Sequence, residues 1–135
     1  MKTVLLACAE STLLDANTNR VSLINVHDEI GSPQFPFLIP IFSVLAITKK
    51  DEGEDDEGTC SIKISLDDQI ILDAPVLVNY QGGEIHRSML GLQGLVITGP
   101  GILKVILLHE NVEIGEWQIP IKQLAPSINI NGQEA

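Results

Sequence analysis

The stretch Cys60-Ser61-Ile62-Lys63-Ile64-Ser65-Leu66 alternates between apolar and polar residues without a break. Successive side chains of a strand point to opposite faces, so Cys60, Ile62, Ile64 and Leu66 share a core-facing side while Ser61, Lys63 and Ser65 meet water. The rest of the chain repeats this pattern less cleanly, as short runs rich in Val and Ile separated by Gly, Pro, Asn and Asp, which is the signature of strands and turns. Runs at 3–9, 20–26, 41–48, 60–66, 70–72 continuing into 76–80, 85–97, 102–108 and 112–121 read as strands. Asp15-Ala16-Asn17-Thr18-Asn19, Asp67-Asp68-Gln69 and Gln81-Gly82-Gly83-Glu84 read as turns, because Asn and Asp bond local backbone groups and Gly accepts positive φ, and 102–108 with 112–121 read as a hairpin around His109-Glu110-Asn111. Gly91 and Gly94 fall inside a long run and mark bulges where the facing side switches.

Other segments interrupt the pattern. Ser32 to Pro40 holds three prolines and supports neither helix nor central strand. Val76 to Tyr80 continues the edge after Ala74-Pro75. Helix signals are thin: Leu5, Leu6 and Ala9 match helical spacing without a cap, and residues 119–124 leave room for one closing turn. With no crossover helices, strands at this spacing predict an all-β, antiparallel two-layer β-sandwich of about 7–8 strands, Ig-like or C2-like. Its span is 1–125, with a polar C-terminal tail over 126–135.

Size agrees with one domain, since 135 residues bury a sizeable core without disulfides or metal. Aromatic residues are 4% of the chain, so Leu, Ile and Val must build that core. No apolar run reaches the roughly 20 residues a membrane helix needs. The net charge of −10, with eight scattered basic residues, argues against nucleic acid and anionic membranes as partners, both of which call for clustered Lys and Arg. A basic protein partner fits better.

The opening MKTVLLACAES has the small-residue-then-Cys look of a lipoprotein cleavage box. A secretory h-region needs roughly 7–15 apolar residues, however, and only residues 3–6 separate Lys2 from Ala7-Cys8. The same residues suit a strand covered on both faces: Val4, Leu6 and Cys8 on one side, Leu5, Ala7 and Ala9 on the other. Cys8 and Cys60 then read as reduced thiols in a cytoplasmic protein, serving as small core hydrophobes.

Asp51-Glu52-Gly53-Glu54-Asp55-Asp56-Glu57 places six carboxylates in seven residues. Without them 12 acidic residues would face 8 basic ones, a net of −4, so a single loop carries most of the charge. It reads first as a solvated tip that keeps neighbouring strands from pairing with other chains. As a surface for a basic partner it offers Glu52, Glu54, Asp55, Asp56 and Glu57. As a Ca²⁺ loop it offers Asp51, Glu54, Asp55, Asp56 and Glu57, but the EF-hand order is broken at the second ligand, and a C2-type site needs a second loop such as Asp67-Asp68 or Asp28-Glu29 at the same end.

Catalytic signals are absent. His27, His86 and His109 lie in different segments at no ligand spacing, and there is no C-x-x-C, nucleophile elbow or phosphate loop. Cys8 sits in an apolar run that disfavours a thiolate. Neither enzymatic activity nor a cofactor is expected. Trp117 is read as a core residue, with an interface anchor as the alternative.

The order of features resembles an uncharacterised bacterial family, a domain of unknown function with a predicted β-sandwich fold. The matching residues are Ala7-Cys8-Ala9-Glu10, Arg20 through Ile30, Phe35-Pro36, the strand at 41–48, Gly101-Ile102-Leu103-Lys104-Val105 and Glu116-Trp117-Gln118-Ile119-Pro120-Ile121. The resemblance implies a small cytosolic sandwich and no activity. The expectation is therefore a non-enzymatic binding module, with a Ca²⁺-dependent, small-ligand or carbohydrate-binding sandwich as the alternative. A homodimer through a sheet edge is a further expectation.

Overall fold

The computed structural model describes residues 1–125; the polar tail at 126–135 lies outside them. Nine strands follow one another: β1 (Lys2–Leu14), β2 (Val21–Val26), β3 (Ile30–Ser32), β4 (Phe37–Lys49), β5 (Glu57–Leu66), β6 (Gln69–Asn79), β7 (Ile85–Ile97), β8 (Gly101–His109) and β9 (Val112–Gln123). They form a four-stranded sheet in the order β2-β1-β4-β7 and a five-stranded sheet in the order β3-β9-β8-β5-β6. Neighbours pair antiparallel except β3 and β9, which run parallel over three residues where the chain changes sheets. The sandwich is thus all-β. It has one strand more than the upper expectation, because Ile30–Ser32 forms a short edge strand next to the proline-rich stretch. Residues 119–124 form no helical turn, since β9 stays extended to Gln123 to pair with β3.

The core lies between the sheets and is almost wholly aliphatic. Cys60, Ile62, Ile64 and Leu66 are all buried in it, as their alternation requires, but Ser65, read as facing water, is buried too, beside the register shift at Ile64–Ser65. Phe42, Ile97, Leu103, Leu107 and Ile119 are the large side chains packed around them. Trp117 packs half-buried at the rim and donates Nε1–H to the His27 carbonyl at 2.8 Å. This ties β9 to the β2–β3 connection. The expected turns form as read. Asp15 Oδ1 accepts from the Asn17 and Thr18 amides. Asp67-Asp68 and Glu110-Asn111 each place two residues at positive φ, as tight hairpins demand.

Pro40 lies inside β4, a strand with neighbours on both sides, contrary to the expectation for 32–40. The reason lies in the strand pairing: β1 pairs with β4 only as far as Ala9 opposite Ser43, so Pro40 has no strand on that side. On its other side it stands opposite Gly94, between the pairs Ile39–Leu95 and Ile41–Gln93. Gly94 adopts φ +96° and the buried parity of both strands switches there, from Phe42 and Leu92 to Ile39 and Leu95. Gly91, also read as a bulge, keeps a strand conformation and regular pairing with Ser43.

Beyond Ala9, β1 continues only with β2, as a two-stranded arm. Ser43 Oγ donates to the Glu10 carbonyl at the root of the arm (3.2 Å), and Arg87 Nη1 donates to Asn19 Oδ1 at its tip (3.3 Å). Arg87 lies two strands away from β1, so the arm folds back across β4 to β7. The burial on that side agrees. Ala7, Ala9 and Leu45 point away from the inter-sheet core and are absent from its contacts, yet their exposures are 2%, 0% and 1%. The arm, anchored at Ser43 and at Arg87 on either side of these residues, is the segment placed to cover them. The first strand is therefore buried on both faces at Leu6–Ala9, as read, whereas Val4 and Leu5 stay exposed beside a bulge at Thr3–Leu5.

Candidate functional site: the acidic loop end

The connection between β4 and β5, the β6–β7 turn, the β8–β9 turn and the start of β1 gather at one end of the sandwich. The acidic connection is ordered by its own charges. Gly53 at φ +83° turns the chain so that the Glu54 amide donates to the Asp51 carbonyl (3.2 Å), and Glu54 Oε1 accepts from the Asp51 amide (2.7 Å). Between these two side chains sits the Met1 ammonium, which donates to Asp51 Oδ2 at 2.6 Å and to Glu54 Oε1. Burial works against that positive charge, but the hydrogen bonds to Asp51 and Glu54 outweigh it and raise the amine above its ordinary value. In turn the ammonium holds both carboxyls below theirs.

Asp56 closes the other side. Its Oδ1 accepts from Lys50 Nζ (2.7 Å) and its Oδ2 from the Gly82 amide (2.8 Å), and together these lower its pKa. The Asp56 carbonyl takes the Tyr80 amide at 2.9 Å, and the Tyr80 hydroxyl donates to Thr48 Oγ1 at 3.1 Å. The loop read as a solvated tip is thus stitched to β1 and to the β6–β7 turn.

The six carboxylates therefore divide into two sets. Asp51, Glu54 and Asp56 are engaged with internal cations, whereas Glu52, Asp55 and Glu57 have no ion pair among the described residues. A cleft of about 460 Å³ opens between this loop and the β8–β9 turn, lined by Glu54, Asp55, Glu57, Tyr80, His109 and Glu110. A second hollow of about 620 Å³, on the β1 side, mixes signs, with Lys2, Lys49 and Lys50 beside Asp51, Glu52 and Glu84. Such an arrangement attracts cationic groups on the cleft side and is self-neutralised on the other.

The calcium arrangement is not assembled. Asp67 and Asp68 connect β5 to β6 at the opposite end, and Asp28-Glu29 precede β3 near that same far end, with Glu29 paired to Lys122 at 2.8 Å. Among the described residues no group of three or more His, Cys, Asp or Glu stands close enough to hold a metal ion. Glu110 and the Met1 amine are neighbours of the acidic loop that the sequence did not disclose: Glu110 reads as a hairpin turn, and Met1 lies 50 residues from Asp51.

Nucleophiles are poorly placed elsewhere. Burial pushes the Cys8 thiol up to about 12 and raises Cys60 as well, and both cysteines are free. His27 stacks on Phe42, with ring centroids 5.3 Å apart and planes 6° from parallel, and its buried Nε2 has no partner among the described residues. Burial lowers its pKa, while Glu10, the Ile41 backbone and Asp28 pull the other way. Among the described residues no helix is long and apolar enough to cross a membrane. In comparisons with known proteins, the chain matches no family model and no curated protein.

Proposed function

We propose that this chain is a non-enzymatic protein-binding module, a sandwich of the Ig-like or C2-like kind, and that its loop end takes a basic partner. The observation that carries this reading is the cleft between the acidic loop and the β8–β9 turn, where Asp55, Glu57 and Glu110 share the lining and none has an ion pair among the described residues. Carboxylates already bonded to ammonium groups offer little further attraction, whereas these three present an uncompensated field that steers and orients a cationic surface. The loop is held by Asp51, Glu54 and Asp56, so it meets a partner without first losing much conformational freedom. Two free, buried thiols support a cytoplasmic setting.

Calorimetric titration with hexalysine tests this. The triple variant Asp55→Asn/Glu57→Gln/Glu110→Gln should lose binding that the wild type shows at 50 mM salt. A control with the same change of net charge elsewhere, Asp28→Asn/Asp68→Asn/Asp73→Asn, should keep it. Equal loss in both variants would reduce the effect to net charge and overturn the assignment to the cleft. A rise in melting temperature with millimolar Ca²⁺ would favour the metal-dependent alternative.

A further inference from the structure

We propose that the free edge of β7 pairs with β7 of a second copy of this chain, antiparallel about a two-fold axis at Gly91. This inference concerns a different surface from the acidic cleft and does not rest on it. A sheet edge exposes unpaired N–H and C=O groups, and natural sandwiches guard such edges with short strands, proline or charge. The described residues leave four edges. β3 has three residues, and β2 belongs to the six-residue side of the arm. β6 carries Pro75, which removes a donor, and Asp73. β7 is 13 residues long, has no proline, and carries no carboxylate. Among the described residues its side away from β4 pairs with no strand.

The surroundings of that edge suit a strand. β6 and β7 diverge from their shared turn, where His86 Nδ1 meets the Asn79 carbonyl at 3.0 Å. Between them lies a slot of about 270 Å³ lined by Val76, Leu77, Ser88, Met89 and Leu90. Leu77 at its rim is 80% exposed, and Leu90 and Leu92 are only half-buried although they face the core. A neighbouring strand would cover this apolar seam.

The charge pattern of β7 identifies that strand as its own copy. Arg87 and His86 lie in the first half, and the second half, from Leu92 to Ile97, has no charge. Gly91 is the midpoint of β7, so full antiparallel overlap sets Arg87 opposite Leu95 of the other copy, Leu90 opposite Leu92 and Met89 opposite Gln93. No like charges oppose each other. The acidic loop adjoins the start of β7, so the two-fold sends the two acidic ends to opposite extremes of the dimer. Two chains each bearing −10 then meet at their least charged edges. The result is one continuous eight-stranded sheet.

Sedimentation equilibrium from 1 to 200 µM tests this. The expected result is a mass twice 14.6 kDa, with association stronger at 500 mM than at 50 mM NaCl because the net charges are screened. The variant Met89→Lys/Gln93→Lys, both at exposed positions, sets like charges opposite each other and should be monomeric with an unchanged circular dichroism spectrum. Should that variant fail to fold, amide exchange in the wild type decides: β7 amides facing away from β4 should gain protection with concentration. A monomer at 200 µM overturns the proposal. So does a dimer whose β7 exchange is independent of concentration, or one that survives in the folded double variant.

Discussion

Replacing Ala9 with valine separates a covered sheet face from a bare one by the sign of the effect. On an uncovered antiparallel sheet the change should stabilise, since strand preferences span about 1 kcal/mol and favour the β-branched residue. Ala9 has 0% exposure although it points away from the inter-sheet core, and the β1–β2 arm, tied to Ser43 and Arg87, is the segment placed to cover it. Two extra methyl groups in that contact would overpack it, at a cost of about 1–3 kcal/mol. Leu45, beside Ala7 in the ladder, supplies the complementary test. At 1% exposure its truncation to alanine should cost about 2–5 kcal/mol through lost burial and a residual cavity, against less than about 0.5 kcal/mol for an ordinary surface change. Urea unfolding followed by Trp117 fluorescence and far-ultraviolet circular dichroism reads both variants. With a urea slope of about 2 kcal/mol per molar, the midpoint should fall by about 0.5–1.5 M for Ala9→Val and about 1–2.5 M for Leu45→Ala. A raised midpoint for Ala9→Val, together with an unmoved one for Leu45→Ala, would refute the folded-back arm.

Three further outcomes follow from the packing. Gly101→Ala should destabilise by about 1–3 kcal/mol, because a Cβ there would come within 2.2 Å of Asp67 Oδ2 and displace the carboxylate that caps the Ile102 amide at 2.9 Å; an unchanged thermal midpoint would contradict this. The folded state binds a proton at His27 less readily than the unfolded chain, so its contribution to stability is whole above about pH 6.5 and is lost as pH falls through that value toward the lower folded pKa. His27→Gln should flatten this part of the stability–pH curve, and an identical slope in the variant would exclude His27 as its source. With its thiol pushed up to about 12 by burial, Cys8 should resist a thiol reagent at pH 8 in the native protein and react at once in denaturant; rapid native labelling would show that the core opens there.

The elements legible in the sequence are those governed by local rules. The alternation at 60–66 located β5 and its buried face, and paired positive-φ positions produced the turns at Asp67-Asp68 and Glu110-Asn111. The buried run Leu6–Ala9 was also legible, but its cover was not: alanine at alternate positions permits a close neighbour without saying which segment arrives. Pro40 misled for a related reason. Its tolerance depends on where β1 parts from β4, a tertiary fact. The acidic loop stood out by composition, yet composition does not separate Asp51, Glu54 and Asp56, which hold the loop together, from Asp55 and Glu57, which remain outward. That division depends on the Met1 ammonium, Lys50 and the Gly82 amide, brought in from other segments. Glu110 joined the site by the same long-range folding.

The most direct test of the acidic end as a binding surface is a ¹⁵N–¹H correlation titration of the whole chain with hexalysine at 50 mM salt. Shifts that saturate and converge on Asp55, Glu57, His109 and Glu110, with the far-end turn at Asp67-Asp68 unmoved, are the predicted result. Shifts spread evenly over all exposed carboxylates, or none at millimolar peptide, would contradict it.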